Sequence, residues 1–287
     1  MIRRLLLVGL LAGALAACDA SAPVRAGRLS PAPTPAPTTV NCHWSLLDLD
    51  TVQRYHLVDA GYPPLDVPRN RTAVMTIDTD LGVIEIDMDA RRTPCAVASF
   101  AHLAGRGFFD GTACHRLTRG GLSVLQCGDP SGNGTGGPTY RYAEEDTASL
   151  YPGGSPPPSP TGPPSVPTLF CVPDDSANAQ NDVVCGPGQR LSPAPHEPRE
   201  DTTVIYRRGT VGVARTSEPG TSGSQFFVSY ADNRLDADYT PLGTVTRGLD
   251  VIDTVARGGL TPSSSDSPDE GTPNTRLVLR RVTVVYR

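Results

Sequence analysis

The sequence predicts a mainly β fold: a closed barrel, capped by two helices and interrupted by one long Pro/Gly-rich insertion. Three observations carry this. Short runs of β-branched and apolar residues recur from about residue 73 to the C-terminus. Two stretches, near 94–104 and 249–256, have helical spacing with start and stop signals. Between about 148 and 202 both patterns give way to a low-complexity segment beginning Gly153-Gly154-Ser155-Pro156-Pro157-Pro158. A stretch of that length is too long for an ordinary connection and reads as an insertion. Many short strands with few helices suggest a closed β-barrel.

The elements follow in chain order. Arg3 and Arg4 precede an apolar run from Leu5 to Leu15, which ends in Leu15-Ala16-Ala17-Cys18. Residues 1–17 read as a secretory signal peptide, too short for a spanning helix. The Leu-Ala-Ala-Cys ending resembles the bacterial lipobox, which makes Cys18 the expected lipidation site and first mature residue. The expected location is then the extracytoplasmic side of the cell membrane. A plain signal peptide with a coincidental Cys18 is the alternative. Residues 18–40, with Pro31-Ala32-Pro33-Thr34-Pro35-Ala36-Pro37, read as a polyproline-like linker. Residues 41–71 carry Trp44 but no clear period, so an irregular N-terminal extension is expected.

The domain proper is expected over 72–287. Ala73–Ile77 and Val83–Asp87 read as a hairpin across Asp78-Thr79-Asp80-Leu81-Gly82. Thr93 is placed to cap a helix that Pro94 opens and that Gly105 and Gly107 stop. Short strands are expected at 115–117, 124–126, 210–214 and 225–229, a helix at 249–256 and a final strand at 277–286.

Composition narrows the chemistry. The 287 residues carry a net charge of −5 and scattered arginines, which gives no footprint for nucleic acid. There is no lysine, which excludes Schiff-base chemistry and a Walker-type phosphate site. Beyond Cys18 there are six cysteines, and no C-x-x-C pair or His-x-x-x-His spacing. In an exported chain this favours disulfides over a metal, and no metal is expected. Cys171 and Cys185 bracket the middle of the insertion and are expected to pair. The partners of Cys42, Cys95, Cys114 and Cys127 stay open, although Cys114 and Cys127 fall on strands expected to be neighbours. Gly132, Gly134 and Gly137 satisfy G-x-G-x-x-G, but Asp129-Pro130 precedes them and Pro138-Thr139-Tyr140 follows. A dinucleotide site needs a strand before that motif and a helix after it, so a glycine-rich loop between strands is expected.

Three blocks then combine: Phe108-Phe109-Asp110-Gly111-Thr112-Ala113-Cys114-His115-Arg116; Gln126-Cys127-Gly128-Asp129-Pro130 with Gly132 to Pro138; and Gly223-Ser224-Gln225-Phe226-Phe227-Val228. In order and spacing they resemble the cyclophilins, over about residues 72–287 outside the insertion. The resemblance implies a closed eight-stranded antiparallel barrel. It also implies peptidyl-prolyl cis-trans isomerase activity with no cofactor, exerted by a single chain on proline-containing segments of exported proteins. The catalytic residue it implies is Arg116. It places Gln126 and Gln225 beside the bound peptide, Phe227 and Leu235 on the walls of a proline pocket, and Ala214, Arg215, Tyr239 and Ser123 around them. Core packing is the alternative for Phe227 and Leu235. Ser123, Val124, Arg215, Arg234 and Tyr239 depart from the residues usual in the family. Ser123 and Arg234 favour a second reading, a catalytically weak module that binds proline peptides or acts as a chaperone. A structural envelope lipoprotein is a third.

Overall fold

The computed structural model describes residues 38–150 and 203–287, and between them the backbone of three short strands, Cys171–Pro173, Val183–Cys185 and Gln189–Leu191. These three pair antiparallel in a sheet of their own, with Cys171 directly opposite Cys185. The side chains of that pair, and with them the expected disulfide, lie outside the described residues. So do the signal segment, Cys18, nearly all of the linker and the rest of the insertion.

The main sheet has ten strands, each antiparallel to its neighbours. Their order is Leu260–Pro262, Glu270–Pro273, Arg116–Thr118, Val124–Cys127, Phe226–Ser229, Thr210–Val213, Pro241–Arg247, Val83–Met88, Ala73–Thr79 and Leu279–Tyr286. This corrects the expectation of a closed eight-stranded barrel. Among the described residues no strand ladder joins the two edges; an isolated bridge, Ala113–Val278, and backbone hydrogen bonds from Gly111 to Leu279, Leu279 to Thr112 and Cys114 to Leu277 link the segments leading into Arg116–Thr118 and Leu279–Tyr286. The backbone at 106–111 is spent in turns, so the pairing there stays short of a ladder. The hairpin of Leu260–Pro262 and Glu270–Pro273 adds strands beyond the count that the resemblance implies.

There are three α-helices among the described residues: α1 (Leu49–Arg54), α2 (Pro94–Gly105) and α3 (Leu249–Arg257). The two longer ones occupy the expected positions. α2 buries Val97, Phe100 and Leu103, and α3 buries Val251, Ile252 and Val255. Thr93 does not cap α2 with its side chain; its hydroxyl bonds the Asp89 carbonyl at 3.3 Å. The cap comes from far along the chain. The Glu145 carboxylate accepts from the backbone N–H of Cys95 at 3.0 Å and of Ala96 at 2.7 Å. Burial pushes Glu145 up to about 7, and these two bonds act against that shift.

The extension is more ordered than its lack of period suggests. Thr39–Asn41 pairs with Asp66–Pro68, and Ser45–Leu46 pairs with Tyr140–Arg141. Asp48 caps α1 by accepting from the Thr51 N–H at 2.8 Å. A disulfide joins Cys42 to Cys95 at the start of α2, and Trp44 packs edge-on against Tyr140 and Tyr142. Its buried residues, Cys42, Trp44, Leu57 and Val67, enter the core singly, so no repeat shows in the sequence.

The apolar side chains form two clusters. The larger fills the space between the sheet and the helices and includes Phe100, Phe109 and Phe226. The smaller contains Val124, Val204, Tyr206, Phe227 and Ala237. Neighbouring residues of one strand belong to different clusters, because side chains alternate across a sheet. Phe226 and Leu125 enter the large cluster, while Phe227 and Val124 enter the small one.

Candidate active site

The small cluster is the floor of the site. Thr203–Tyr206 pairs with Asn233–Asp236 and carries Val204 and Tyr206 under the Phe227 ring. The Tyr206 hydroxyl donates to the Tyr239 carbonyl at 3.0 Å, which pins the Tyr239 backbone, and burial pushes that hydroxyl above its ordinary value. Tyr239 in turn stands edge-on to Phe227, with ring centroids 5.4 Å apart. Phe227 lies flat across its neighbouring strand opposite Gly212. A Cβ at Gly212 would come within 2.3 Å of the Phe227 ring, so only glycine leaves room for the ring in that position.

Above this floor is a cavity of about 100 Å³, with Leu122, Val124, Phe227, Leu235, Ala214 and Tyr239 on its walls. Arg116, Gln126 and Arg215 supply its polar edge. A linear chain of hydrogen bonds holds that edge. The Arg116 Nε donates to Glu270 Oε1 at 2.8 Å, and Nη1 donates to Gln126 Oε1 at 3.1 Å. The Gln126 Nε2 donates to Gln225 Oε1 at 2.8 Å. The Gln225 Nε2 then donates to the carbonyls of Gly134 and Gly136, both at 2.9 Å. Arg116 and Gln126 stand opposite each other in the ladder, and a disulfide between Cys114 and Cys127 fastens the same two strands. The guanidinium is thus fixed in orientation while its Nη2 makes no hydrogen bond to protein among the described residues. The hydrogen bond from Arg116, and then its charge, hold Glu270 below its ordinary value, so the partner is ionised at neutral pH.

The glycine-rich loop has a structural explanation. The carboxylate of Asp129 is fully buried and accepts from the backbone N–H groups of Ser131, Asn133 and Gly134 and from the Ser131 hydroxyl. A Cβ at Gly136 would come within 2.1 Å of that carboxylate. The loop folds around an internal anion and turns its carbonyls toward Gln225, which leaves its N–H groups unsuited to a phosphate.

Of the residues singled out in the sequence, Arg116, Gln126, Ala214, Arg215, Phe227, Leu235 and Tyr239 meet around this cavity, and Gln225 lies next to them along the hydrogen-bonded chain. Ser123 is not among them. Leu122, Val124 and Gln126 face the cavity, so the intervening Ser123 is turned away by the two-residue period of the strand. Its backbone N–H donates to Asn233 Oδ1 at 2.7 Å instead. Leu122 supplies the apolar wall expected to be missing. Arg234 is exposed and reaches Thr203 Oγ1 at 3.3 Å, outside the cavity. Arg215 is tied down: it pairs with Asp238, donates to the carbonyls of Thr216 and Ser217, and lies 5.6 Å from the centroid of the Tyr239 ring. Sequence reasoning missed Tyr206 and Glu270. Glu270 is 154 positions from Arg116 and nothing local marks it.

The model of the family "Cyclophilin type peptidyl-prolyl cis-trans isomerase/CLD" matches residues 74–284. The chain belongs to this family. Curated relatives agree with it. A probable peptidyl-prolyl cis-trans isomerase B of Mycobacterium leprae is 36% identical over 73% of this chain and 56% of its own length. Its Mycobacterium tuberculosis namesake is 32% identical over 84% of this chain and 63% of its own. The chain therefore spans about three fifths of the length of these cyclophilin relatives. Among solved structures, a Cryptosporidium parvum cyclophilin type isomerase, crystallised in the presence of the dipeptide Ala-Pro, matches 74% of this chain and 98% of its own. Its sequence identity is 20% and the TM-score 0.46.

Proposed function

We propose that the chain is a working peptidyl-prolyl cis-trans isomerase that assists exported proteins at the outer face of the cell membrane, held there by a lipid on Cys18. The observation that carries the catalytic part is the Arg116 guanidinium, locked by Glu270 and Gln126 at the edge of an apolar cavity with one donor nitrogen unspent.

Rotation about an X-Pro bond must cross a resonance barrier of roughly 18–20 kcal/mol. No nucleophile or metal is required. The proline ring enters the cavity over Phe227, and the remaining Arg116 donor faces the amide. As the amide twists, charge shifts between its nitrogen and its oxygen, and a rigid, permanently charged donor stabilises the twisted form more than either planar one. Removal of one such donor costs on the order of 100-fold or more in turnover in comparable sites.

The second reading, a degenerate peptide-binding module, rests in the sequence on Ser123 and Arg234. Neither lines the cavity, so no observation now favours it over catalysis. The location rests on the signal segment and Cys18 alone. Cis/trans isomerisation of a short X-Pro peptide tests the catalytic part: Arg116→Ala should lose most turnover while keeping its circular dichroism. An Arg116→Ala variant as fast as the wild type would overturn it. Cys18→Ser tests the anchor, since it should leave the chain uncleaved or free of the membrane. A cleaved Ser variant that still fractionates with membranes would refute lipidation.

A further inference from the structure

A second, larger cavity of about 310 Å³ adjoins the first and shares Gln126, Ala214 and Arg215 with it. Its outer wall is not made by the segment that matches the family. Tyr55, at the end of α1, forms part of that wall and belongs to the N-terminal extension, ahead of residue 74. The extension also braces the opposing strand. Ser45 pairs with Arg141, the Leu47 N–H donates to the Thr139 carbonyl at 3.0 Å, and the Val58 N–H donates to the Gly137 carbonyl at 2.9 Å. The Cys42–Cys95 disulfide ties this layer to α2.

The charges of this groove are one-sided. It is lined by Arg141 and Arg215 and by no Asp or Glu. The two arginines differ. Arg215 is neutralised by Asp238 and engaged through both its Nε and Nη1. Arg141 is half-buried, donates only from Nη1 to the Thr221 carbonyl at 2.9 Å, and forms no ion pair among the described residues. A guanidinium stays charged even when partly buried, so the groove holds a cation without a counter-ion beside the Tyr55 ring. The Tyr55 hydroxyl makes no hydrogen bond to protein among the described residues and supplies a second donor.

We propose that this groove is a selectivity site for a carboxylate: Arg141, with the Tyr55 hydroxyl, receives an Asp or Glu side chain close to the target proline. The substrate class is therefore acidic proline-containing segments. This rests on the isomerase reading of the adjoining cavity, since the shared wall of Gln126, Ala214 and Arg215 places the two side chains on one peptide. An extended chain advances about 3.3–3.6 Å per residue, so two side chains in adjoining cavities lie within a few residues of each other on the peptide.

The test uses the full chain and a set of X-Pro peptides in which Glu, Gln or Lys replaces Ala at each of those flanking positions in turn. At one position, kcat/KM should be higher for Glu than for Lys by about tenfold, as one charge-assisted hydrogen bond allows. The ratio should shrink with added salt. Arg141→Gln and, as a second variant of different packing, Arg141→Met should bring the ratio near one, and Tyr55→Phe should lower it in part. Equal turnover of Glu and Lys peptides at every position by the wild type overturns the proposal, as does a ratio that survives both Arg141 variants. If no peptide is turned over, it is the isomerase reading that has failed, and calorimetric titration of the same peptides decides the groove separately. Tighter binding of Glu than of Lys, lost in Arg141→Gln, sustains it; equal or absent binding refutes it.

Discussion

Phe226 and Phe227 are adjacent on one strand and serve opposite purposes. Phe226 stands edge-on to Phe100 and Phe109 inside the large cluster, closed on all sides. Phe227 stands against Tyr206 and Tyr239 in the small cluster, whose upper side is the open cavity. The same division separates Leu125 from Val124 on the next strand. One face of the sheet therefore buries surface to hold the fold, and the other leaves part of its apolar surface for a ligand. An incompletely filled cluster stabilises less than a closed one, because the cavity wall lacks packing partners. What that face gives up in stability is available for binding.

The comparison makes a direct prediction. Phe226→Ala should destabilise the protein by about 3–5 kcal/mol, the usual cost of emptying a closed aromatic site. Phe227→Ala should cost distinctly less in stability but should raise KM for X-Pro peptides strongly. Chemical denaturation of both variants, with peptide kinetics on whichever stays folded, checks this. If Phe227→Ala destabilises as much as Phe226→Ala and leaves KM unchanged, the two faces are not functionally distinct.

Arg116→Ala is the next largest effect and sharpens the functional side. Turnover should fall by roughly 100-fold with little change in KM, because the donor acts chiefly on the twisted amide. Arg116→Lys should recover little, since an ammonium cannot hold bonds to Glu270 and Gln126 in one plane and still present a third donor. Glu270→Gln should produce a smaller loss of the same kind, through the orientation of the guanidinium. A large change in KM with unchanged kcat in these variants would show that Arg116 only binds.

A smaller contrast separates Leu122 from Ser123. Leu122 lines the cavity and Ser123 faces the other way. Leu122→Ala should remove part of a buried apolar wall, about 1–2 kcal/mol of peptide binding. Ser123→Ala should leave peptide binding as it is, because its contact with Asn233 runs through the backbone. Equal effects of the two on affinity would contradict the register of this strand.

This pair also shows where sequence reading stops. The three motif blocks were legible because their residues are fixed by close contacts within or between neighbouring strands. Gly128 is forced by the Ser224 carbonyl, and Gly136 by the Asp129 carboxylate. The sequence places the strand carrying Gln126, yet one residue of register decides which side chains face the cavity, and a family pattern with a different spacing points to Ser123 where Leu122 stands. Thr93 fails to cap α2 for another reason. Local chemistry allowed it, but Glu145, about fifty positions on, reaches the same N–H groups with a charged acceptor. Glu270 and Tyr55 gave no signal at all. Each matters only through a partner brought to it by the topology.

The smallest effect concerns His115, which lies between the two faces. Its ring nitrogens are buried and make no hydrogen bond of good geometry among the described residues. Burial pushes it below its ordinary value of 6.5 and the nearby Arg116 charge adds to this, while Asp129 and the Gln225 side chain act in the opposite sense. The unfolded chain therefore binds a proton at a pH where the folded protein does not. The stability that comes with a neutral His115 is complete above about 6.5 and is lost as pH falls through that value toward the lowered folded one. Glu145 runs the other way, because a carboxyl pushed up to about 7 favours the folded state as pH falls. The two contributions are separated by difference. Thermal midpoints of the wild type and of His115→Gln, measured across mildly acidic pH, should diverge, with the wild type losing stability faster on acidification while Glu145 acts equally in both. Parallel curves would mean that the His115 ring is not held neutral, and that the residue beside Arg116 contributes only its shape.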